Sequence, residues 1–359
     1  MDRINVTKTF LPPLEEYEAY VKNIWGSGQI TNQGPLLREF ERKTSKFLGL
    51  DENRFHFVAN GTLALQIALR ALDITEGEII TTPFSYVATT SAILWERCQP
   101  VFVDIKPNDF CIDADKIEES ITPKTKAILA VHVFGNPCDI EKIESIAKKY
   151  KLKVIYDGAH AFGAKYKGKS LLSYGDISIC SFHATKLFHT IEGGCVITKD
   201  KSIYDKVELL LRFGHNQDNH FMLGINAKAS EFQAAMGLCN LKYIDGIIDQ
   251  RKELSGIYDS LLKSKFQHPK IKNDSGYNYA YYPIVFDSEK TLLDKMGELE
   301  KDNIFPRRYF YPSLNTLSYL KTAQHCPVSE DISKRVICLP LFIGLDKNVI
   351  HKICEVLNK

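Results

Sequence analysis

Ala127-Ile128-Leu129-Ala130-Val131, a helical pattern from Ile140 to Tyr150, and Val154-Ile155-Tyr156-Asp157 follow one another with short polar joints. The two runs are brief and apolar throughout, as strands of a sheet covered on both faces must be. The stretch between them is long enough for a right-handed helical crossover. The same alternation continues outward in both directions. Phe55-His56-Phe57-Val58, Glu78-Ile79-Ile80-Thr81, Val101-Phe102-Val103, Ile177-Ser178-Ile179-Cys180 and Cys195-Val196-Ile197-Thr198 read as further strands, with helical patterns at Thr62 to Leu72 and Asp113 to Ser120. This predicts an α/β fold with a mostly parallel central sheet and helices on both faces. After about residue 229 the texture changes. A helical stretch from Ser230 to Leu262, broken near Gly237 and Gly246, leads to aromatic, strand-like Tyr277 to Phe286, a charged helix from Glu289 to Lys301, and the proline-containing segments Phe305 to Pro312 and Cys338 to Phe342. The expected division is a large α/β domain over residues 1–240 and a small α+β domain over 241–359.

Composition narrows the function classes. The 359 residues carry 46 Lys plus Arg against 44 Asp plus Glu, a net +2, which argues against a basic surface built for nucleic acid or acidic membranes. The first residues lack the apolar core of a signal peptide and no long uncharged apolar run occurs, so a cytoplasmic location and no membrane span are expected. The nine cysteines are scattered, odd in number and never spaced C-x-x-C, which suits reduced, mostly buried thiols and no metal site.

Two motifs tempt and fail. Residues Gly163 to Ser170 match the G-x-x-x-x-G-K-S phosphate loop letter for letter. A true loop of this kind needs a helix beginning at its Lys-Ser, whereas Leu171 to Asp176 leads quickly into another strand, so a solvated turn is expected. Gly26-Ser27-Gly28 starts like a dinucleotide fingerprint, but no strand precedes it and the third glycine is missing.

Three other pieces carry chemistry. Asn60-Gly61-Thr62 lies between a strand and an Ala/Leu-rich helix. On its own it is an ordinary helix cap. It also offers unpaired N–H groups, a close backbone approach at Gly61 and the Thr62 hydroxyl, a combination suited to a phosphate. Asp157 ends an apolar strand, where the carboxyl edge of a parallel sheet opens onto a ligand crevice. A carboxylate there can keep a pyridine nitrogen protonated, and His160 three residues later could bond a ring hydroxyl. Lys186 follows the strand Ile177 to Cys180 in Ser181-Phe182-His183-Ala184-Thr185-Lys186, and Gly193-Gly194 beyond it would permit close packing beside a flat ligand. A lysine sheltered there has a depressed pKa and a nucleophilic neutral amine. A phosphate cradle, a strand-end acid and a strand-end lysine in this order describe a pyridoxal phosphate site.

With these residues in place, the chain resembles the DegT/DnrJ/StrS-type sugar aminotransferases, a branch of the fold type I pyridoxal phosphate enzymes, from about Pro12 through Leu341. Gln29 to Gly34 with Phe40-Glu41 resembles the family's substrate segment, and Thr82 to Thr89 its cofactor-stacking segment. The resemblance implies catalytic roles for Lys186 and Asp157. It implies cofactor contacts from Gly61, Thr62, Tyr86 on the pyridine face, His160, Ser181 and, across a homodimer interface, Asn226. Substrate contacts are implied for Thr31, His183, Arg308, Tyr309 and Tyr311, with His189 weighed as either pocket lining or packing. Lys228 departs from the Arg of many relatives. The implied reaction moves an amino group from glutamate, through pyridoxamine phosphate, to a nucleotide-linked keto-sugar. Ser181 to Gly194 most resembles members acting at C4 of a dTDP-4-keto-6-deoxyhexose in surface polysaccharide synthesis. C3 transamination, a UDP-keto-sugar, a lyase or racemase acting on free amino acids, and a non-catalytic ligand-binding regulator stand as alternatives.

Overall fold

The computed structural model describes residues 3–262, 264–320 and 323–359. Seven strands form the central sheet: β1 (Phe55–Val58), β2 (Glu78–Thr81), β3 (Gln99–Phe102), β4 (Thr125–Val131), β5 (Lys153–Asp157), β6 (Ile177–Ser181) and β7 (Gly194–Thr198). Their spatial order is β1-β7-β6-β5-β4-β2-β3. Pairings from β6 through β3 are parallel, and only β7 runs against both of its neighbours. Because side chains alternate across a strand, each strand feeds two cores. Ile128, Ala130, Val154 and Cys195 join one cluster, while Ala127, Leu129, Ile155 and Val196 join the other. That two-sided burial is why the strands read as unbroken apolar runs.

Helices α1 (Leu14–Ser27), α2 (Pro35–Leu48), α3 (Gly61–Ala71), α4 (Ala88–Trp95), α5 (Ile140–Tyr150), α6 (Lys201–Leu210), α7 (Glu231–Leu241) and α8 (Ile244–Leu262) surround this sheet. Leu36, Leu37 and Phe40 of α2, Ile143 of α5 and Ala234 of α7 pack on one face; α3, α4 and α6 cover the other. Beyond α8 lie β8 (Tyr282–Val285), α9 (Glu289–Lys301), α10 (Pro327–Arg335), β9 (Val336–Leu339) and α11 (Lys347–Asn358), with β8 and β9 antiparallel. Leu254, Tyr258 and Leu262 of α8 pack with this C-terminal layer, whereas Ile244 and Ile247 pack with the first core. One helix therefore contributes to both clusters. Asp104, just after β3, adds a second tie. Its carboxylate accepts the Val328 and Ser329 N–H groups at 2.9 Å each, capping α10 from the edge of the central sheet.

Several expectations are corrected. Asp113 to Ser120 forms no α-helix, only a 3₁₀ turn at Glu118–Ser120. Asp113 accepts the Asp115 N–H and Asp115 pairs with Lys106 and Lys142, so these acids stabilise a turn instead. The break in the long helical stretch falls at Lys242-Tyr243, not at the glycines. Gly237 sits inside α7 because an added Cβ would lie 2.5 Å from the Phe40 ring. Of Tyr277 to Phe286, only β8 is strand, the preceding residues being drawn into a loop around the buried Asn278. The Gly163 to Ser170 stretch is a hairpin of two short strands turning through Lys167 and Gly168, both at positive φ. All nine cysteines are free and buried. No helix among the described residues is long and apolar enough to cross a membrane.

The start of α2 is capped from a distance. The buried Glu231 carboxylate accepts the Leu36 and Leu37 N–H groups at 2.8 and 2.9 Å, satisfying orphan donors and complementing the helix dipole. A Cβ on Gly34 would sit 2.4 Å from the Glu231 carboxyl carbon. Gly34→Ala is therefore expected to displace that carboxylate and cost about 2 kcal/mol. A thermal melt indistinguishable from wild type would contradict this.

Further along α2, Glu41 is half-buried and accepts the Phe57 N–H at 2.7 Å. Burial pushes its pKa up to about 7 despite the nearby His56. A raised acid binds its proton more tightly in the fold. The stabilisation it contributes is complete below the unfolded value near ~4.3 and is lost as pH rises through about 7. Glu41→Gln, which keeps the acceptor, is expected to be more stable than wild type by about 3 kcal/mol at pH 8, with no such advantage near pH 4. Urea unfolding at the two pH values reads the difference, and a pH-independent gap would refute it.

Candidate active site

The carboxyl ends of β5 and β6 and the start of α3 open onto a cavity of about 260 Å³, closed on its far side by residues from the C-terminal layer. Asn60 leaves β1 in extended conformation, and its side chain accepts the Leu63 N–H at 2.9 Å. The first N–H groups of α3 thus face the cavity beside Gly61, Thr62 and Ser181. Gly61 is needed there, since an added Cβ would lie 3.0 Å from the Ser181 Cβ. The Gly193-Gly194 pair does not flank the cavity as expected. A Cβ on Gly194 would approach the Asn60 carbonyl carbon to 2.7 Å, so this glycine lets the phosphate-type turn lie against β7.

Asp157 ends β5, buried. Its Oδ2 accepts the Thr89 hydroxyl at 2.8 Å and its Oδ1 the Ala159 N–H at 3.0 Å. Burial raises its pKa, opposed by those bonds and by Lys186. Thr89 in turn lies 2.9 Å from the Ser85 hydroxyl. Nothing local in the sequence marks Thr89, which stands in the first turn of α4 just beyond Tyr86. His160 is buried with its ring parallel to those of Phe134 and Phe310, at 6.2 and 5.7 Å between centroids. Its Nδ1 is buried without a hydrogen-bond partner among the described residues. Burial drives the imidazole's pKa well down, so the ring is neutral. Lys186 is half-buried among these groups. Burial lowers its pKa, while Tyr309 and Asp157 oppose the shift. Tyr86 lines the same cavity, its ring 55% exposed and free to cover a flat ligand.

Lys186 shares the cavity with residues from two further sources. His183 Nδ1 accepts the Thr185 N–H at 3.2 Å, and its Nε2 faces Glu192 at 3.4 Å. Glu192, unassigned from sequence, also lines the cavity. From the C-terminal layer come Tyr281, Arg307, Tyr309 and Phe310. Arg308 does not join them. Its guanidinium bonds Glu289 at 2.6 Å and the Lys334 carbonyl at 2.9 Å and lies 3.5 Å over the Tyr311 ring, which also stays outside. The antiparallel bridge between Arg307 and Cys338 sets which of the two arginines faces inward. His189 is packing, held by the Phe10 carbonyl and Asn240. Thr31 and Asn226 also lie outside the cavity of their own chain, Asn226 accepting from Lys228 at 2.7 Å.

These groups fit pyridoxal phosphate: helix-start donors and hydroxyls for the phosphate, a buried acid for the ring nitrogen, an unsatisfied His160 nitrogen for the ring hydroxyl and a sheltered amine for the aldehyde. Over residues 14–358 the sequence matches the model of the DegT/DnrJ/EryC1/StrS aminotransferase family. The chain belongs to this family. It is 40% identical, over 99% of its own length and 98% of the relative's, to the dTDP-4-amino-4,6-dideoxy-D-glucose transaminase of Shigella dysenteriae. Among solved structures it superposes on DesI, crystallised with its TDP-sugar product, with a TM-score of 0.93, 28% identity and coverage of 99% and 92% of the two chains. It also superposes on the PLP-form of Spr1654 from Streptococcus pneumoniae with a TM-score of 0.91, 26% identity and coverage of 99% and 97%. The expected family, fold and cofactor hold. The aminotransferase depends on pyridoxal phosphate, and its mostly parallel sheet with helices on both faces is the scaffold its relatives share.

Proposed function

We propose that this aminotransferase moves the amino group of glutamate to C4 of a dTDP-4-keto-6-deoxyhexose, forming dTDP-4-amino-4,6-dideoxyglucose for surface polysaccharide in the cytoplasm. The observation that carries the chemistry is Lys186, a half-buried amine whose pKa burial depresses, in one cavity with the buried Asp157 and the helix-start cradle. The choice of sugar is supported by the 40% identity to the Shigella transaminase along the whole chain.

When bound, pyridoxal phosphate supplies the carbonyl that takes up nitrogen and a ring that delocalises the electron pair left by a broken C–H bond. Gly61, Thr62 and Ser181 would hold its phosphate, and Asp157 would keep a proton on the ring nitrogen. Lys186 Nζ would take the proton from the α-carbon of the donor and hand it on across the nitrogen, the work of a general base with a low pKa. Glutamate would leave as 2-oxoglutarate, one water supplying its keto oxygen while the nitrogen stays behind. In the second half the ketone oxygen of the sugar leaves as water while Lys186 moves the proton back. Arg307, a cation facing the cavity, suits the donor's carboxylates, and Tyr309 with Phe310 shields the amine from water.

The active unit is proposed as a homodimer. Trp25, Phe213, Phe221 and Leu223 stand 53 to 78% exposed. Apolar surface of that kind is usually covered by a partner. Asn226, on the same loop as Phe213 to Leu223, would then reach the phosphate of the neighbouring site.

The test is a panel of dTDP- and UDP-linked 3-keto and 4-keto sugars offered with glutamate. Release of 2-oxoglutarate with the dTDP-4-keto sugar, and an amine at C4 by NMR, is expected. An amine at C3, or a UDP-sugar preference, would overturn the substrate assignment. Bound cofactor with no 2-oxoglutarate from any sugar would favour the regulator.

A further inference from the structure

Outside the cavity, four side chains meet around the carboxylate of one of them, Glu208. Glu208, near the end of α6, receives Gln33 Nε2 on both oxygens, at 3.0 and 3.1 Å. Arg212 bonds the same group from one turn further on. His56 of β1 turns Nδ1 toward it at 3.3 Å, while its Nε2 meets the Tyr204 carbonyl at 2.9 Å. Burial works to raise the Glu208 pKa, but His56, Gln33 and Arg212 outweigh it and bring it to about 2. The carboxylate is thus a permanently charged hub, about 30% exposed, whose bonds all come from distant or non-adjacent residues.

Each arm leads toward a site element. Gln33 belongs to Gln29–Gly34, whose Ile30 carbonyl accepts the Glu231 N–H at 3.0 Å. His56 lies in β1, which runs directly into Asn60-Gly61-Thr62. Arg212 forms an antiparallel bridge with Asn226. The strand past Asn226 continues that ladder, with the Ala59 N–H donating to the Ala227 carbonyl at 2.9 Å and a bridge between Val58 and Lys228. Asn226 itself contacts nothing in its own cavity, so its placement depends on what anchors the ladder. Charge-assisted bonds from Arg212 and Gln33 to one carboxylate are the strongest side-chain anchors available there.

We infer that Glu208 is a positioning residue, fixing Asn226 through Arg212 and the Gln29–Gly34 segment through Gln33 so that both are presented to the neighbouring subunit's site. The inference rests on the proposed reading that Asn226 reaches the partner's cofactor phosphate and that Gln29–Gly34 meets substrate. A purely structural role would change stability and leave cofactor affinity alone.

The experiment measures the pyridoxal phosphate dissociation constant of the dimeric protein, by visible absorbance after equilibrium dialysis, for Glu208→Gln, Asn226→Ala and the double variant. Each single change is expected to weaken binding about tenfold, and the double variant no more than either alone, because coupled residues are non-additive. Weakening by Asn226→Ala with wild-type affinity in Glu208→Gln overturns the role of Glu208 and leaves the Asn226 reading standing. Wild-type affinity in both overturns the Asn226 reading, and the Glu208 role falls with it. Gln33→Ala, which leaves the Glu208 to Arg212 bond intact, keeps the second arm testable should Glu208→Gln fail to fold. It is expected to raise KM for the nucleotide sugar while cofactor affinity stays at wild type, and an unchanged KM rejects that arm.

Discussion

Lys186→Ala is expected to fold, to bind pyridoxamine phosphate and to give no steady-state turnover, a loss of at least about 10⁴-fold. The expectation follows from how few bases the cavity offers. Asp157 is engaged by Thr89 and Ala159, and the His160 imidazole is neutral but packed beside Phe134 and Phe310. Lys186 alone combines a depressed pKa with a long side chain able to serve two carbons in turn. Its folding role is small, since a half-buried amine packed against polar groups contributes little apolar burial. Cofactor affinity and 2-oxoglutarate release are the two readouts. Retained release would reject the role assigned to this amine, whatever the cofactor measurement gives.

Asp157→Asn separates chemistry from stability, because the two are expected to move in opposite directions. The neutral amide cannot hold a proton on the ring nitrogen, and the rate is expected to fall by about 10²- to 10³-fold, the size of a lost preorganised electrostatic contact. In the cofactor-free protein the sign reverses. Burial raises the Asp157 pKa, so its favourable contribution to folding is complete below the unfolded value near ~3.9 and is lost as pH rises through the folded value. At neutral pH the charged side chain is therefore a cost that the amide avoids. The apo variant should melt above apo wild type at pH 7 and lose that advantage in acid. A wild-type rate would refute the electron-sink assignment; a lower apo melting temperature would refute the burial argument.

Much of this site is legible from local sequence because its parts sit at strand ends. An apolar run predicts where a parallel strand stops, and whatever polar residue stands there, Asp157 or Ser181, must face the crevice. The Asn60-Gly61-Thr62 turn is legible for the same reason, being the required exit from β1 into α3. The misreadings share a cause too. Asp113 to Ser120 has helical spacing, but its acids find partners in Lys106 and Lys142, remote in sequence or outside the periodic pattern. Gly237 looks like a breaker only until Phe40 is packed against it. Arg307 and Arg308 are adjacent and chemically identical, so nothing local distinguishes the one that faces the cavity.

The sequence by itself determined the layered sheet and the places of Gly61, Asp157, Ser181 and Lys186 at or just past the ends of their strands, because each depends on periodicity or on a residue's position along its own strand. The tertiary structure alone decided that Arg307 faces the cavity in place of Arg308, that Thr89 supports Asp157, that Gly194 serves the phosphate turn, and that Glu208 gathers Gln33, His56 and Arg212. Those facts depend on which distant surfaces meet when the C-terminal layer and the helices close over the sheet. Hydrophobic burial drives that closure without regard to sequence neighbours, so no local pattern encodes its contacts.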